Sequence, residues 1–380
     1  MSDPLHLLDV DHLRFYVGNA KQVAYFYASA FGFNVSQYAD LTTGSREEAS
    51  YLLTQGNIRF VVTTGLHKQH PAQHEVTRFG DGVKDVAFTV EDAEAAWMQA
   101  IRNGAESAYE PIEYSDERGT IVRAGISAYG RVHHSFVSRR GDYAINKDGY
   151  AFMPGFEPVG DFFMNRYNAE HPCGLMFVDH VVANVDDGKM NHWVKWYEDV
   201  LGFKLFKHFD DKDISTEYSA LMSKVMASGY GVIKLPINEP AEGKKKSQIQ
   251  EYLEWHDMTP GVQHVALRTD DELTSVTELR RRGVDFLEIP EAYYDIVWER
   301  VESEMGASVK EDHKRIRDLG ILVDADDKGY LLQLFTKPLQ DRPTLFFEII
   351  CRRGSDSFGK GNFKALFESL ELEQAKRGNL

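Results

Sequence analysis

One long stretch of this sequence occurs twice, and that limits the folds open to it. The segment Leu8-Asp9-Val10-Asp11-His12-Leu13-Arg14-Phe15-Tyr16-Val17 is followed by a helical pattern over 20–30 and by Gly32-Phe33. It is answered by Phe177-Val178-Asp179-His180-Val181-Val182-Ala183-Asn184-Val185, a helical pattern over 190–200, and Gly202-Phe203. Each copy reads as a strand, then a helix, then a glycine at the helix end, where the left-handed conformation costs glycine little. Asp11-His12 falls on Asp179-His180 with two extra residues downstream in the second copy. A second match needs no gap: Gly82-Val83-Lys84-Asp85-Val86-Ala87 lies over Gly261-Val262-Gln263-His264-Val265-Ala266, runs through Arg102-Asn103-Gly104 over Arg281-Arg282-Gly283, and ends at Pro111 over Pro290. A looser third match sets Arg139-Arg140-Gly141 over Arg352-Arg353-Gly354, and so Ser135 over Glu348. A unit of strand, helix and several strands used twice per half implies a duplicated α+β architecture.

The two halves differ where chemistry is concerned. The first offers His12, Asp85 and Ser135; the second offers His180, His264 and Glu348 at the same places. A single histidine among valines is ordinarily a hydrogen-bonded core residue. Two imidazoles and a carboxylate together suit a borderline divalent metal and leave coordination positions open, as in non-haem Fe(II) oxygenases. Zinc with two histidines and a glutamate is the chemical competitor, but its usual His-Glu-x-x-His helix is absent. Strand alternation would turn His180, His264 and Glu348 inward and send Asp179, Gln263 and Phe347 to the other face or the rim. Spacing alone does not choose between these readings.

At 380 residues, 43% apolar and 27% charged, the chain has the composition of a soluble globular protein of two or three domains. Residues 141–174, rich in Gly, Pro, Asn and aromatics, read as the connection, dividing the chain into 1–155 and 156–380. A formal charge of −16 argues against a nucleic-acid or anionic-membrane surface. The basic run Lys244-Lys245-Lys246 reads as a solvated loop. No run approaches the ~20 apolar residues of a membrane helix, the start lacks a signal pattern, and only Cys173 and Cys351 occur, so a cytoplasmic location is expected. His67, His70 and His74 are interrupted by Pro71 and read as a surface loop. A final helix over 362–376 carries Phe363, Leu366, Phe367 and Leu370 on one face, suited to cover the mouth of the second domain.

Several longer motifs make the chain specific. Leu235-Pro236-Ile237-Asn238-Glu239-Pro240, Lys246-Ser247-Gln248-Ile249-Gln250, Gly261-Val262-Gln263-His264, Gly329-Tyr330-Leu331-Leu332-Gln333-Leu334-Phe335-Thr336, Arg342-Pro343-Thr344-Leu345-Phe346-Phe347-Glu348 and Gly359-Lys360-Gly361-Asn362-Phe363 closely resemble the 4-hydroxyphenylpyruvate dioxygenases, over essentially the whole chain. The resemblance implies the vicinal-oxygen-chelate fold, with paired βαβββ modules in each domain and one Fe(II) held in a C-terminal half-open barrel by His180, His264 and Glu348. It implies Ser219, Asn238, Gln248, Gln263 and Gln333 as the polar groups that position substrate. Pro236, Phe335, Phe346, Phe358, Phe363 and Leu366 would form the pocket walls, where stacking on a phenyl ring gives aromatics their use.

The implied reaction joins 4-hydroxyphenylpyruvate and O2 to give homogentisate and CO2. The substrate carries its own 2-oxo acid, so no 2-oxoglutarate is expected. A homo-oligomer, with a dimer favoured, is expected as well. Two other readings are open: 4-hydroxymandelate synthase, which uses the same substrate and metal, and a metal-free binding protein on the same fold.

Overall fold

A computed structural model of the chain describes residues 5–145, 151–209, 220–241, 245–305 and 309–379. The first half contains β1 (Asp9–Tyr16), α1 (Ala20–Phe31), β2 (Asn34–Ala39), β3 (Glu48–Gln55), β4 (Ile58–Gly65), α2 (Pro71–Phe79), β5 (Gly82–Thr89), α3 (Ala93–Arg102), β6 (Ser107–Asp116), β7 (Gly119–Ser127) and β8 (His133–Gly141). After β9 (Glu157–Pro158) and α4 (Phe163–Glu170), the second half contains β10 (Leu175–Asn184), α5 (Met190–Leu201), β11 (Lys204–Phe209), β12 (Ala220–Ala227), β13 (Lys234–Ala241), α6 (Gln248–Trp255), β14 (Gly261–Thr269), α7 (Glu272–Arg281), α8 (Val297–Met305), α9 (His313–Leu319), β15 (Leu322–Asp326), β16 (Gly329–Phe335), β17 (Phe346–Arg353) and α10 (Phe363–Lys376). Each half is thus two βαβββ modules. The helices after β1 and β10 both stop at a left-handed glycine, Gly32 at φ 74° and Gly202 at φ 70°.

Both curled sheets have one strand order. The first runs β6-β7-β8-β5-β1-β4-β3-β2, with β9 added at the edge; the second runs β15-β16-β17-β14-β10-β13-β12-β11. Register agrees in detail: His12 pairs with Ala87 and His180 with Ala266, while Asp85 lies beside His133 and His264 beside Phe346. Counting two residues along β8 and β17 brings Ser135 and Glu348 to the same point, opposite Gly125 and Phe335. Gaps in the loosest sequence match therefore do not disturb the backbone.

Four expectations need correction. Residues 141–174 are no simple connection: Tyr143, Phe152 and Phe156 are buried in a core inside the first sheet with Leu52, Val61 and Val137. β9 and α4 likewise pack against β2 and α1. The ungapped second match holds to Ser107 and Phe286, which pair with Ile126 and Thr336 at equivalent points, and fails only before Pro290. Pro111 lies in β6, but Pro290 begins a 3-10 turn over Glu291–Asp295 that leads into α8 and α9 before the sheet resumes at β15. Pro71 does not interrupt a histidine loop; it opens α2, with the His70 side chain accepting from Ala72 N at the helix N-terminus. Lys246, finally, is tied down by Glu254 at 2.7 Å and Asn379 at 2.8 Å, so this end of the basic run is no freely solvated loop.

The halves join through apolar packing. Phe347, on the face of β17 away from Glu348, meets Tyr27, Phe31 and Phe60 with ring centroids 5.2–5.7 Å apart. Inward residues of β17 can therefore face a cavity while the outward ones bury the seam.

Candidate metal centre

Strand alternation alone would not build the site. In β10 the register slips between Val178 and His180, and in β14 the pairs Val182 with His264 and Ala183 with Val262 leave Gln263 without an opposite number. Asp179 and Gln263 are thus bulged residues, and a bulge turns a side chain to a face that alternation would deny it. This corrects the expectation for both. Asp179 Oδ1 lies 2.8 Å from His180 Nδ1, and Gln263 Oε1 lies 2.9 Å from His264 Nδ1. With both Nδ1 atoms engaged as donors, both Nε2 atoms are left as ligands.

Those Nε2 atoms converge on Glu348. His180 Nε2 is 3.1 Å and His264 Nε2 3.3 Å from Glu348 Oε2, and the three possible ligand atoms lie within 4.8 Å of one another. All three residues are buried. Burial opposes charge on the Glu348 carboxyl, yet the His180 charge and hydrogen bonds from both histidines outweigh it and bring its pKa down to about 2. Burial also opposes charge on His180, but Glu348 and Asp179 more than offset this and raise it; His264, braced by a neutral amide, is lowered by burial. A pre-assembled anionic ligand with two imidazoles fits a divalent cation, and two nitrogens with one oxygen suit iron(II) by softness and by open coordination number.

A cavity surrounds the triad. Its floor is the triad, and its walls include Pro236, Phe335, Phe346 and Phe358. The roof is α10, which turns Phe363, Leu366, Phe367 and Leu370 downward. Gln248, Gln263 and Asn238 are the amides at the surface of the cavity. Among the described lining residues there is no lysine or arginine.

Two of the expected polar residues are not in this lining. Ser219 lies outside the described residues. Gln333 is 1% exposed, packs closely against Gly359, and its amide is buried with no hydrogen-bond partner. Sequence reading missed Ser223, which lines the cavity from β12 directly opposite Asn238. Its alternation with Leu221 and Val225, which also line the cavity, was the available signal.

The first half fills the matching space with protein. Asp85 accepts from Ser135 N at 3.0 Å and from the Ser135 hydroxyl, and the Arg123 guanidinium stands 3.7 Å away. By register Arg123 corresponds to Gln333, so a fixed side-chain cation lies where the second half has room for a metal. His12 Nε2 is buried with no hydrogen-bond partner, and burial takes its pKa down to about 4. Phe152 closes over His12 at 5.3 Å.

Comparison with known proteins agrees with this geometry. The Glyoxalase/Bleomycin resistance protein/Dioxygenase superfamily is matched twice, over residues 9–126 and 177–334. Curated proteins named 4-hydroxyphenylpyruvate dioxygenase are 46% identical over 97% of this chain and 93% of the relative in Yarrowia lipolytica, and 47% identical over 98% and 92% in Tetrahymena thermophila. The chain belongs to the 4-hydroxyphenylpyruvate dioxygenase family. Caenorhabditis elegans supplies another relative of that name, 47% identical over 97% of the chain and 93% of the relative. Among solved structures, a triple mutant of 4-hydroxymandelate synthase from Streptomyces coelicolor superposes with a TM-score of 0.82 at 28% identity, over 97% of this chain and 99% of that one. The dioxygenase relatives are thus much nearer in sequence than this synthase, while sharing of the fold extends to both.

Proposed function

We infer that the protein converts 4-hydroxyphenylpyruvate and O2 to homogentisate and CO2, with one iron(II) held by His180, His264 and Glu348. The observation that carries this reading is the buried triad at the base of an aromatic cavity whose described lining has no cation of its own. A 2-oxo acid entering such a space finds compensating positive charge only at a bound metal. Bound there, iron(II) would supply the means for O2 to react with an organic substrate, which spin conservation otherwise makes slow.

The chain's own residues do the rest. Phe335, Phe346 and Phe358 offer faces and edges to a phenyl ring, and Gln248, Gln263 and Asn238 offer neutral hydrogen bonds that leave the charge balance of the triad untouched. Ser223 joins them as the hydroxyl of the described pocket. The apolar underside of α10 excludes water and so limits loss of the oxidant to side reactions.

The division into two domains is supported by the two separate superfamily matches, with the boundary after α4 rather than at 155, because β9 and α4 pack on the first half. A cytoplasmic location is supported by two buried, unpaired cysteines, Cys173 and Cys351.

The decisive experiment loads purified protein with Fe(II) under argon, adds 4-hydroxyphenylpyruvate and air, and follows oxygen uptake with identification of the aromatic product. One homogentisate per O2 consumed is expected. 4-Hydroxymandelate as product would transfer the reading to the synthase. No oxygen uptake by iron-loaded protein would leave a binding protein.

A further inference from the structure

We propose that Asp179 and Arg352 are a positioning pair that fixes which ring nitrogen of His180 faces the metal and, through the same guanidinium, fixes the Phe358 wall of the pocket. The proposal rests on the metal reading above. Asp179 is 5% exposed and meets three residues. Oδ1 is shared by His180 Nδ1 at 2.8 Å and Arg352 Nη2 at 2.8 Å, while Oδ2 accepts from Arg352 Nε at 2.9 Å and faces Arg268 at 3.7 Å. Such a fork holds the carboxylate in one plane, because a guanidinium bonds it at two points. With its other lone pairs taken, Asp179 can meet His180 only as acceptor. Nδ1 then keeps its hydrogen, and Nε2, 3.1 Å from Glu348, is the nitrogen that gives up its proton when a metal binds.

The third nitrogen of Arg352 reaches the pocket wall. Nη1 donates to the carbonyl oxygens of Ser357 and Ser355, and the guanidinium lies 5.2 Å from the centre of the Phe358 ring. Phe358 in turn stands edge-on to His180 at 5.0 Å. One side chain therefore joins the orientation of a metal ligand to that of an aromatic wall, so loosening Arg352 should loosen both.

The first half supplies an internal control. Asp11 bridges His12 at 2.7 Å and Arg139 at 2.8 Å, and Arg139 lies 4.9 Å from the Phe152 ring and donates to the Phe152 carbonyl. The same brace is present where no ligand partners exist. It is assembled by the fold without help from a metal, and what it delivers is a buried imidazole with Nε2 bare.

The test titrates Co(II) into metal-free wild type and into Asp179→Asn, Arg352→Lys and Asp11→Asn, with affinity from chelator competition and the visible spectrum as a readout of ligand geometry. Asn keeps an acceptor but removes the charge. Asp179→Asn should weaken Co(II) binding roughly 10- to 100-fold and shift the visible bands. Arg352→Lys should weaken it less, and should also weaken anaerobic binding of 4-hydroxyphenylpyruvate to the Co(II) protein. Asp11→Asn should lose thermal stability with Co(II) affinity unchanged.

Wild-type Co(II) affinity in Asp179→Asn, or equal loss in Asp11→Asn, would overturn the proposal. Should Asp179→Asn not fold, unchanged affinity in Arg352→Lys overturns it alone. Failure of the wild type to take up Co(II) would overturn the metal reading, and this inference with it.

Discussion

His12 and His180 occupy one register point in two sheets, opposite Ala87 and Ala266, and each has Nδ1 held by the bulged aspartate before it, at 2.7 and 2.8 Å. What separates them is their company. His12 Nε2 has no partner, whereas His180 Nε2 meets Glu348 and faces His264 across the same small space.

Removing each histidine should therefore have opposite consequences for metal. His180→Ala should purify without iron and show no turnover. His12→Ala should retain its iron and lose only stability, by about 1–3 kcal/mol for a buried hydrogen-bonded group. Elemental analysis beside urea denaturation distinguishes the two; iron loss in both would refute the asymmetry of the halves.

Arg123 substitutes for a metal in electrostatic terms, with its guanidinium 3.7 Å from the buried Asp85 carboxylate. Arg123→Met should cost on the order of 3 kcal/mol, because it strands a buried charge. Iron content should be unchanged. Denaturant midpoints check the first expectation, and a loss below ~1 kcal/mol would show Asp85 to be satisfied by Ser135 alone.

The roof helix α10 is latched at its far end, where Arg377 meets Glu251 at 2.7 and 3.0 Å and Asn379 adds a third bond at 3.0 Å. Glu251 is 3% exposed, so Arg377→Ala leaves it poorly satisfied. Limited proteolysis should cut within 363–376 several times faster, with Co(II) affinity unaltered because no ligand lies on α10. Protection equal to wild type would show that the helix is held by its apolar face alone.

Stability of the metal-loaded protein should fall as pH drops from about 6.5 to about 4. Burial depresses His134 to about 4, with Nε2 engaged by the Tyr197 hydroxyl at 2.7 Å and Nδ1 by the Val86 carbonyl at 3.2 Å. Between those values the unfolded chain binds a proton that the folded chain refuses, so protonation favours unfolding, by at most ~1.4 kcal/mol per pH unit for one group. Half-buried His133 and buried His256 are depressed in the same direction. Urea midpoints against pH for wild type and His134→Gln isolate this contribution; identical slopes would remove His134 as a cause.

Much of this was legible in advance, for a physical reason. Period-two valines, glycine stops after two helices and repeated dipeptides are local signals, and the duplication showed them twice. The triad was legible because one half lacks it, so His264 and Glu348 stood out against Asp85 and Ser135. The roof helix announced itself by an apolar stripe that had to cover something.

The remainder depended on three dimensions. A bulge is a mismatch between two strands, so no single strand discloses that Asp179 and Gln263 turn inward to hold the histidines. Glycine and aromatic content in 141–174 suggested a loose connection, yet Phe152 and Phe156 fill the first barrel because its concave face would otherwise stand open. Ser223 enters the pocket through pairing with Asn238 on the neighbouring strand. By itself, then, the sequence determined the duplicated α+β architecture and set out a candidate triad, since local pattern and repetition carry both, while the assignment of that triad to a metal came from the family resemblance. Only the tertiary structure decided which neighbours brace those ligands and which half stays open to a substrate, since bulges, register and cavity filling arise between segments far apart in the chain.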